Sequence, residues 1–223
     1  MFLLLFIIVF HELGHLLAAS IFNIKSSEIK INIFGGITTY DTNINIPLYK
    51  EFLILIAGPI FQILLVYIVS YLKIYINIDT YNKFIYLNKL LLSFNLMPFI
   101  NLDGGKLLNI LFNYFFSFKI SFYLSVVASV GCMPFVFFID NLYLKIIILI
   151  FLIKSLIIEI TDFKYRFNTF LLERCLNDYN YKRTKIIKDV RQMKRDVNHI
   201  FVLGKTLINE KQFLKLYFNQ RSL

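Results

Sequence analysis

Apolar positions in this chain fall in long runs rather than in stripes. Five runs reach or approach the roughly 20 residues a helix needs to cross a bilayer. They are Met1–Phe22, Phe52–Leu72, Phe84–Ile100, Ile120–Phe138 and Leu142–Ile158. The third and fifth are short, and the Leu107–Phe118 run reads as a half-helix continuing the third. Between the first two runs, Asn23–Lys50 changes character. Residues 29–34 (IKINIF) alternate with a period of two until Gly35-Gly36 breaks them, which predicts a short strand or hairpin at the membrane interface or dipping into it. No repeat or low-complexity linker is evident. The pattern predicts an all-α membrane protein, a polytopic bundle of about five transmembrane helices with a strand-like interfacial segment. Residues 1–160 form the expected transmembrane core, and 161–223 a small cytosolic C-terminal appendage.

Composition strengthens the membrane reading. The chain is 58% hydrophobic, with a mean hydropathy of +0.66, against roughly 45–50% apolar residues in soluble proteins. A soluble domain of 223 residues has nowhere to hide so much Ile, Leu and Phe. The opening MFLLLFIIVF lacks a basic start, and HELGH stands where a signal-peptide cleavage site would be, so it reads as a span that stays.

Charge supplies an orientation. From Asp162 onward there are 14 Lys and Arg against 6 Asp and Glu, an excess of +8 that leaves +2 of the total +10 for the first 161 residues. A basic tail after the last span is the positive-inside signature and puts the C-terminus in the cytoplasm. With five spans the N-terminus is then outside, and the first and third spans run the same way. His11–His15 and Asp103 come to similar depth on the cytoplasmic side. Nucleic-acid binding is the weaker reading of such a tail, and no nucleic-acid partner is expected. Cys132 and Cys175 fall in an apolar run and in the tail, so both are expected to be reduced.

The chemistry is concentrated in His11-Glu12-Leu13-Gly14-His15. Residues i and i+4 share a helix face, so both imidazoles can reach one zinc while Glu12 addresses a water. In a span a carboxylate costs about 2.5–3.5 kcal/mol on insertion scales and is functional by default. The structural alternative is a pair of histidines bonding across helices. A catalytic zinc takes three protein ligands. The remaining histidine, His199, lies deep in the basic tail and is expected to be solvated. A carboxylate in or beside a span is therefore the expected third ligand, from Glu51, Asp103, Asp140 or Glu159. Asp103 stands out. Pro98 before it interrupts a helix, and Gly104-Gly105 after it allow a tight turn and close backbone approach. Broken helix at membrane depth is tolerated where it is buried in protein or lines a watery cavity.

HELGH followed by NLMPFINLDGG resembles the site-2 protease family of intramembrane zinc metalloproteases (M50), whose signatures are H-E-x-x-H and N-x-x-P-x-x-x-x-D-G. Ile56-Ala57-Gly58-Pro59 and Phe34-Gly35-Gly36 are similar to further elements of that family. Together with the LDGGKLL and FLLER segments they look like its sporulation branch in endospore-forming bacteria, which releases pro-sigma-K from a membrane-tethered pro-sequence. The resemblance implies one Zn²⁺ per chain on His11, His15 and Asp103, with Glu12 as catalytic base. It gives Asn95 a substrate-positioning or oxyanion role. The implied substrate is a membrane-tethered protein cut near the cytoplasmic face, in the membrane around the forespore. Membrane lipid and membrane inhibitor or regulator proteins are the further partners. Gly35, Gly36 and the strand before them would pair with an extended substrate by β-addition, or form an ordinary turn.

Two features depart from that pattern. Asn101 occupies a place where the family carries proline, two residues before the aspartate. The chain also opens inside the H-E-x-x-H helix, where longer relatives carry a preceding span, so a shortened form or an upstream start is expected. In the sporulation branch the tail position holds a nucleotide-sensing CBS-type module, which would bring ATP or a related nucleotide. Here the tail is only about one such repeat long and lacks a phosphate-cradling glycine loop, so an α/β appendage contacting substrate or anionic lipid is an equal reading. A non-catalytic membrane binding protein keeping the same fold is disfavoured by the intact Glu12 and ligand set. A metal transporter would need several intramembrane carboxylates or histidines in line. Oligomeric state has no signature in the chain.

Overall fold

The computed structural model describes residues 2–24, 26–32, 35–40, 44–138, 140–204 and 206–219, with side chains outside 25–43. Helix α1 spans Phe2–Ile21. It ends where Asn23 takes a left-handed φ of 55°. There the Asn23 and Ile24 N–H groups donate to the Ser20 and Ala19 carbonyls, both at 3.0 Å. This double bond pattern satisfies the end of a helix, and Asn is one of the few residues that enter the conformation readily. The chain leaves α1 into an antiparallel pair, β1 (Ser26–Asn32) and β2 (Gly35–Tyr40). Asn32 pairs with Gly35 and Ile31 with Gly36, so the two glycines open the second strand of the expected hairpin.

Helix α2 (Leu48–Tyr71) continues as a 3₁₀ turn to Tyr75. Helices α3 (Ile78–Asn95), α4 (Asp103–Phe115) and α5 (Phe118–Cys132) follow, then a 3₁₀ segment Met133–Phe138 and the 35-residue α6 (Leu142–Leu176). Among the described residues, three helices are long and apolar enough to cross a membrane: Phe2–Ile21, Leu48–Tyr75 and Phe118–Phe138. They match the first, second and fourth expected spans. The third run is helical only as far as Asn95, and the fifth lies within α6; these two helices carry more charge, Asp79, Lys83 and Lys89 on α3 and Lys145, Lys154 and Glu159 on α6. The Leu107–Phe118 run falls mostly in α4, a separate helix beyond a break at 96–102, and ends on the first residue of α5, so it does not continue the third span.

Close packing of α1 on α2 sets the frame. A Cβ on Gly14 would lie 2.7 Å from the Ala57 carbonyl oxygen and 2.9 Å from Phe61 Cβ, so the two helices meet nearly backbone to backbone. Ile7 and Ile8 of α1, Leu65 of α2 and Phe84 and Leu91 of α3 fill one apolar core beside this crossing. A polar seam joins α4 to α5. Ser121, Ser125 and Ser129 are buried one turn apart, and Asn109 Nδ2 donates to Ser125 Oγ at 2.8 Å. Such bonds stand in for a hydrophobic driving force that is absent between helices in lipid.

The expected boundary at 160/161 lies inside α6, which runs through it unbroken. Beyond it, β3 (Thr184–Ile187) pairs parallel with β4 (Asn198–Leu203), and β4 pairs antiparallel with β5 (Thr206–Asn209). Helix α7 (Glu210–Asn219) closes the unit. Its core of Phe170, Leu171, Met193, Phe201 and Leu214 takes in Phe118 from the start of α5. The tail is therefore docked on the helical core. Asp196 accepts from the Leu48 N–H at 2.8 Å, capping the start of α2 from 148 residues away. Arg195 pairs with Glu51 one turn further on, at 2.6 Å.

His199 is not solvated. The inward–outward alternation of β4 turns it inside, where it is 1% exposed. Its Nδ1 donates to Glu210 at 3.0 Å, and its Nε2 accepts from the Lys194 N–H at 3.1 Å. Glu210 also takes a two-bond grip from Arg174, at 2.6 and 2.9 Å. Burial pushes the His199 imidazole below its ordinary value, with Arg174 and Lys185 acting the same way against the pull of Glu210. Burial alone would raise the Glu210 carboxyl, but bonding to His199 and the Arg174 charge hold it below the usual range. Both shifts leave the folded state with fewer protons than the unfolded one, so stability rises with pH. Loss is expected to begin as pH falls below the unfolded histidine value of about 6.5 and to deepen as Glu210 protonates. Limited proteolysis of the full chain in detergent should cut the 177–219 region faster at pH 5.5 than at pH 7.5 (about one unit either side of that value). His199→Gln, which keeps a donor and an acceptor without the titration, should flatten this difference; a tail more resistant at the lower pH would contradict it.

Candidate metal centre

Four chain segments converge on His11 and His15. Both project from one face of α1 and are 2% and 5% exposed. Their ring centroids are 4.8 Å apart. Each ring is held from behind at Nδ1. His15 Nδ1 lies 2.8 Å from the Ile54 carbonyl oxygen, and His11 Nδ1 lies 3.0 Å from Gln62 Oε1. A carbonyl only accepts, so His15 must carry its proton on Nδ1. The Gln62 amide is oriented by its other end, since Nε2 donates to the Asn88 carbonyl at 3.0 Å. Oε1 therefore faces His11, whose proton also sits on Nδ1.

Both Nε2 atoms are left with bare lone pairs, and they point at each other across 3.1 Å. Asp103 Oδ2 completes a triangle, 2.9 Å from His11 Nε2 and 3.4 Å from His15 Nε2. Three acceptors facing a common point repel. One proton would relieve a single edge, whereas a cation relieves all three. Zinc bonds of 2.0–2.1 Å in a tetrahedral site imply ligand–ligand edges of about 3.3–3.4 Å, close to the triangle observed. The donor set fits a zinc ion by chemistry and by size. Glu12, 7% exposed, presents a carboxylate within 4.8 Å of the two histidine ligand atoms.

Glycines make room for this arrangement. A Cβ on Gly58 would lie 2.3 Å from His15 Nε2 and 2.9 Å from His11 Nε2, so α2 presses bare backbone against both rings. Pro59 follows, and its missing N–H leaves the Leu55 carbonyl without a helical partner, one residue from the Ile54 carbonyl that holds His15. Asp103 is the first residue of α4. A Cβ on Gly104 would sit 2.1 Å from the Leu96 carbonyl oxygen, and one on Gly105 1.9 Å from that of Phe99. The 96–102 segment therefore folds back onto the start of α4 and delivers Asp103 to the histidines. Ser129 Oγ accepts from the Ile100 N–H at 2.9 Å, and Asn101 donates to Ser155. Asn101 is thus tied to α6 by its side chain.

Asn95, at the end of α3, brings Nδ2 to 3.4 Å from His11 Nε2. The other carboxylates considered as ligands are elsewhere. Glu51 pairs with Arg195, Glu159 with Arg166, and Asp140 is exposed. Gly35 and Gly36 are in β2, with their surroundings outside the described side chains. Sequence reasoning passed over Gln62 and Asn88, which are 0% and 2% exposed. A lone amide inside an otherwise apolar span was the available signal, but a search for charged ligands does not pick it up. In the tail, a cavity of about 540 Å³ is bordered by Arg174, Tyr179, His199, Asn209, Glu210 and Lys211, none of them a residue of the triangle.

A bundle of apolar helices closed around a buried His–His–Asp donor triangle defines a membrane protein with a candidate metal centre. The pattern of Peptidase family M50 matches residues 1–78. Stage IV sporulation protein FB of Bacillus subtilis is 30% identical in an alignment covering 96% of this chain and 82% of that protein. A zinc metalloprotease of Methanocaldococcus jannaschii is 35% identical over 48% of this chain and 33% of its own length. The solved site-2 protease from M. jannaschii superposes with a TM-score of 0.54 at 26% identity, covering 70% of this chain and 72% of that one. The chain belongs to peptidase family M50.

The Gly58 contact gives a direct test. Gly58→Ala must displace two rings that are pinned at Nδ1, so zinc retained after purification is expected to fall at least about tenfold, the lower bound for disturbing groups that hold metal ligands. Gly131→Ala, with nothing within 4 Å of its Cβ, should match the unaltered chain. Equal zinc in both variants would show that the close approach at Gly58 is not needed.

Proposed function

We propose that this chain is an intramembrane zinc metalloendopeptidase that hydrolyses a peptide bond of a membrane-tethered protein. The carrying observation is the convergence of three lone-pair donors, His11 Nε2, His15 Nε2 and Asp103 Oδ2, with Glu12 beside them. These three residues would hold one Zn²⁺. Bound zinc supplies Lewis-acid polarisation of a carbonyl and brings the pKa of water toward about 7. Glu12 takes the proton from the attacking water and passes it to the leaving amine, so one carboxylate serves as base and then as acid. Asn95, with its amide beside His11, donates to the carbonyl oxygen of the substrate as charge builds there. The substrate must be extended, because a helix hides its carbonyls in its own hydrogen bonds. The edge of the β1–β2 pair at Gly35-Gly36 is the element suited to hold it by strand addition.

The relative named for stage IV of sporulation supports a narrower reading, the processing of a pro-sigma-K-like precursor in the membrane around the forespore. The basic tail supports a cytoplasmic C-terminus and cleavage near that face.

Glu12→Gln is nearly isosteric and cannot accept the proton. Cleavage of a co-expressed pro-sigma-K-like substrate should fall by about 10²–10⁴-fold while zinc content stays unchanged. Activity within tenfold of the unaltered chain would remove the base assignment, and loss of zinc would make Glu12 structural. Asp103→Asn keeps the shape and removes the charge, so weaker zinc binding and near-complete loss of cleavage are expected. Asp140→Asn should change neither; damage there instead of at 103 would reassign the third ligand.

Orientation is tested separately by labelling intact cells. Cysteine placed by Ser222→Cys, a position outside the described residues, should react with a membrane-permeant reagent only. Reaction with an impermeant reagent would invert the topology.

A further inference from the structure

We propose that Gln62 is a positioning residue for the metal centre, setting which nitrogen of His11 faces the metal. The inference rests on the zinc reading of the His11–His15–Asp103 triangle. The two histidines are held differently. His15 is fixed by main chain, the Ile54 carbonyl at 2.8 Å, which no side-chain substitution removes. His11 is fixed by a side chain, Gln62 Oε1 at 3.0 Å. An imidazole ligates through whichever nitrogen is bare, and that choice follows from the bond made by the other nitrogen.

Gln62 makes the choice because its amide has two unlike ends and the far end is already committed. Nε2 donates to the Asn88 carbonyl of α3 at 3.0 Å, and Asn88 Nδ2 reaches back toward the Gln62 carbonyl at 3.4 Å. Turning the amide over would set oxygen against oxygen at Asn88. Only the acceptor end is left for His11, so the ring must donate from Nδ1 and present Nε2 to the triangle. Gln62 is 0% exposed and Asn88 2%. Within a span, no water substitutes for either bond. The relay also ties α3 to the α1 ligand through α2, so three helices must be in register for His11 to be set.

Charge explains an amide here rather than a carboxylate. Zn²⁺ with ionised Asp103 and Glu12 and two neutral imidazoles sums to zero. A Glu at position 62 would keep the acceptor but leave a net negative charge in a low-dielectric site. Gln62 supplies the tautomer without that cost.

The test uses the full chain in detergent micelles, zinc-loaded and titrated with a competing chelator, with absorption of the Co²⁺-substituted protein as second readout. Gln62→Met keeps the volume and removes the acceptor; zinc affinity is expected to fall about 10–100-fold, with a shifted Co²⁺ band. Gln62→Glu restores the acceptor and should lose less zinc affinity than the roughly tenfold that marks a broken outer hydrogen bond. Leu65→Ala loosens the same helix inside an apolar core and should lower thermal stability while leaving zinc affinity and the Co²⁺ band unchanged. Unaltered zinc affinity and band in Gln62→Met would overturn the inference and leave the zinc site standing. Equal loss in Gln62→Met and Leu65→Ala would also overturn it, as a packing effect. Should Gln62→Met not fold, Gln62→Asn decides, since its shorter amide cannot reach His11: lowered zinc affinity with a shifted Co²⁺ band supports the role, and unaltered affinity and band end it. Failure of the unaltered chain to bind zinc would sink the metal reading itself.

Discussion

Three hydrogen-bond acceptors held face to face in an apolar bundle are the constraint around which this protein is organised. His11 Nε2, His15 Nε2 and Asp103 Oδ2 stand 2.9–3.4 Å apart with no proton of their own to share. In water such a cluster would be dispersed by solvent. Inside lipid-facing helices it persists only if each group is held from behind and if something positive can stand between them. The first condition is visible. The Nδ1 bonds to Ile54 and Gln62 hold the rings, and the loop at 96–102 holds the carboxylate.

Much of the remaining architecture serves that geometry. Gly14 and Gly58 let α2 approach α1 closely enough for its backbone to reach the histidines. Gly104 and Gly105 let the broken segment after α3 fold tightly onto α4, so that Asp103 begins a helix at the level of His11 and His15. Ser129 of α5 and Ser155 of α6 then tie that segment down through Ile100 and Asn101. Each of these contacts exchanges a side chain or a free backbone group for proximity, which is useful only where something must be placed accurately.

The tail is bound into the same framework. Asp196 caps α2, Arg195 pairs with Glu51, and Glu173 accepts from the Ile44 and Asn45 N–H groups at 3.1 and 3.2 Å. All of these attach to residues 44–51, the approach to α2 and its first turn. The Arg174–Glu210–His199 cluster that organises the tail lies one residue from Glu173, so the stability of the tail and its grip on α2 share residues.

What the sequence determined by itself was everything that depends on local spacing. The i, i+4 histidines share a face because a helix has 3.6 residues per turn, and a carboxylate beside them in a span stands out because insertion is costly. The apolar runs announced helices and a membrane, and the alternation at 29–34 announced the hairpin. Asp103 was legible because Pro98 and the paired glycines mark a broken helix. Only the tertiary structure decided matters that depend on partners far apart in the chain. Gln62 and Asn88 look like stray amides until α3 lies on α2, and Asn101 looks like a lost proline until Ser155 is beside it. His199 looks solvated in a basic tail until Arg174 and Glu210 enclose it. In each case the side chain's own chemistry is unchanged. What differs is which group faces it across 11 to 54 residues of sequence, and no local pattern encodes that.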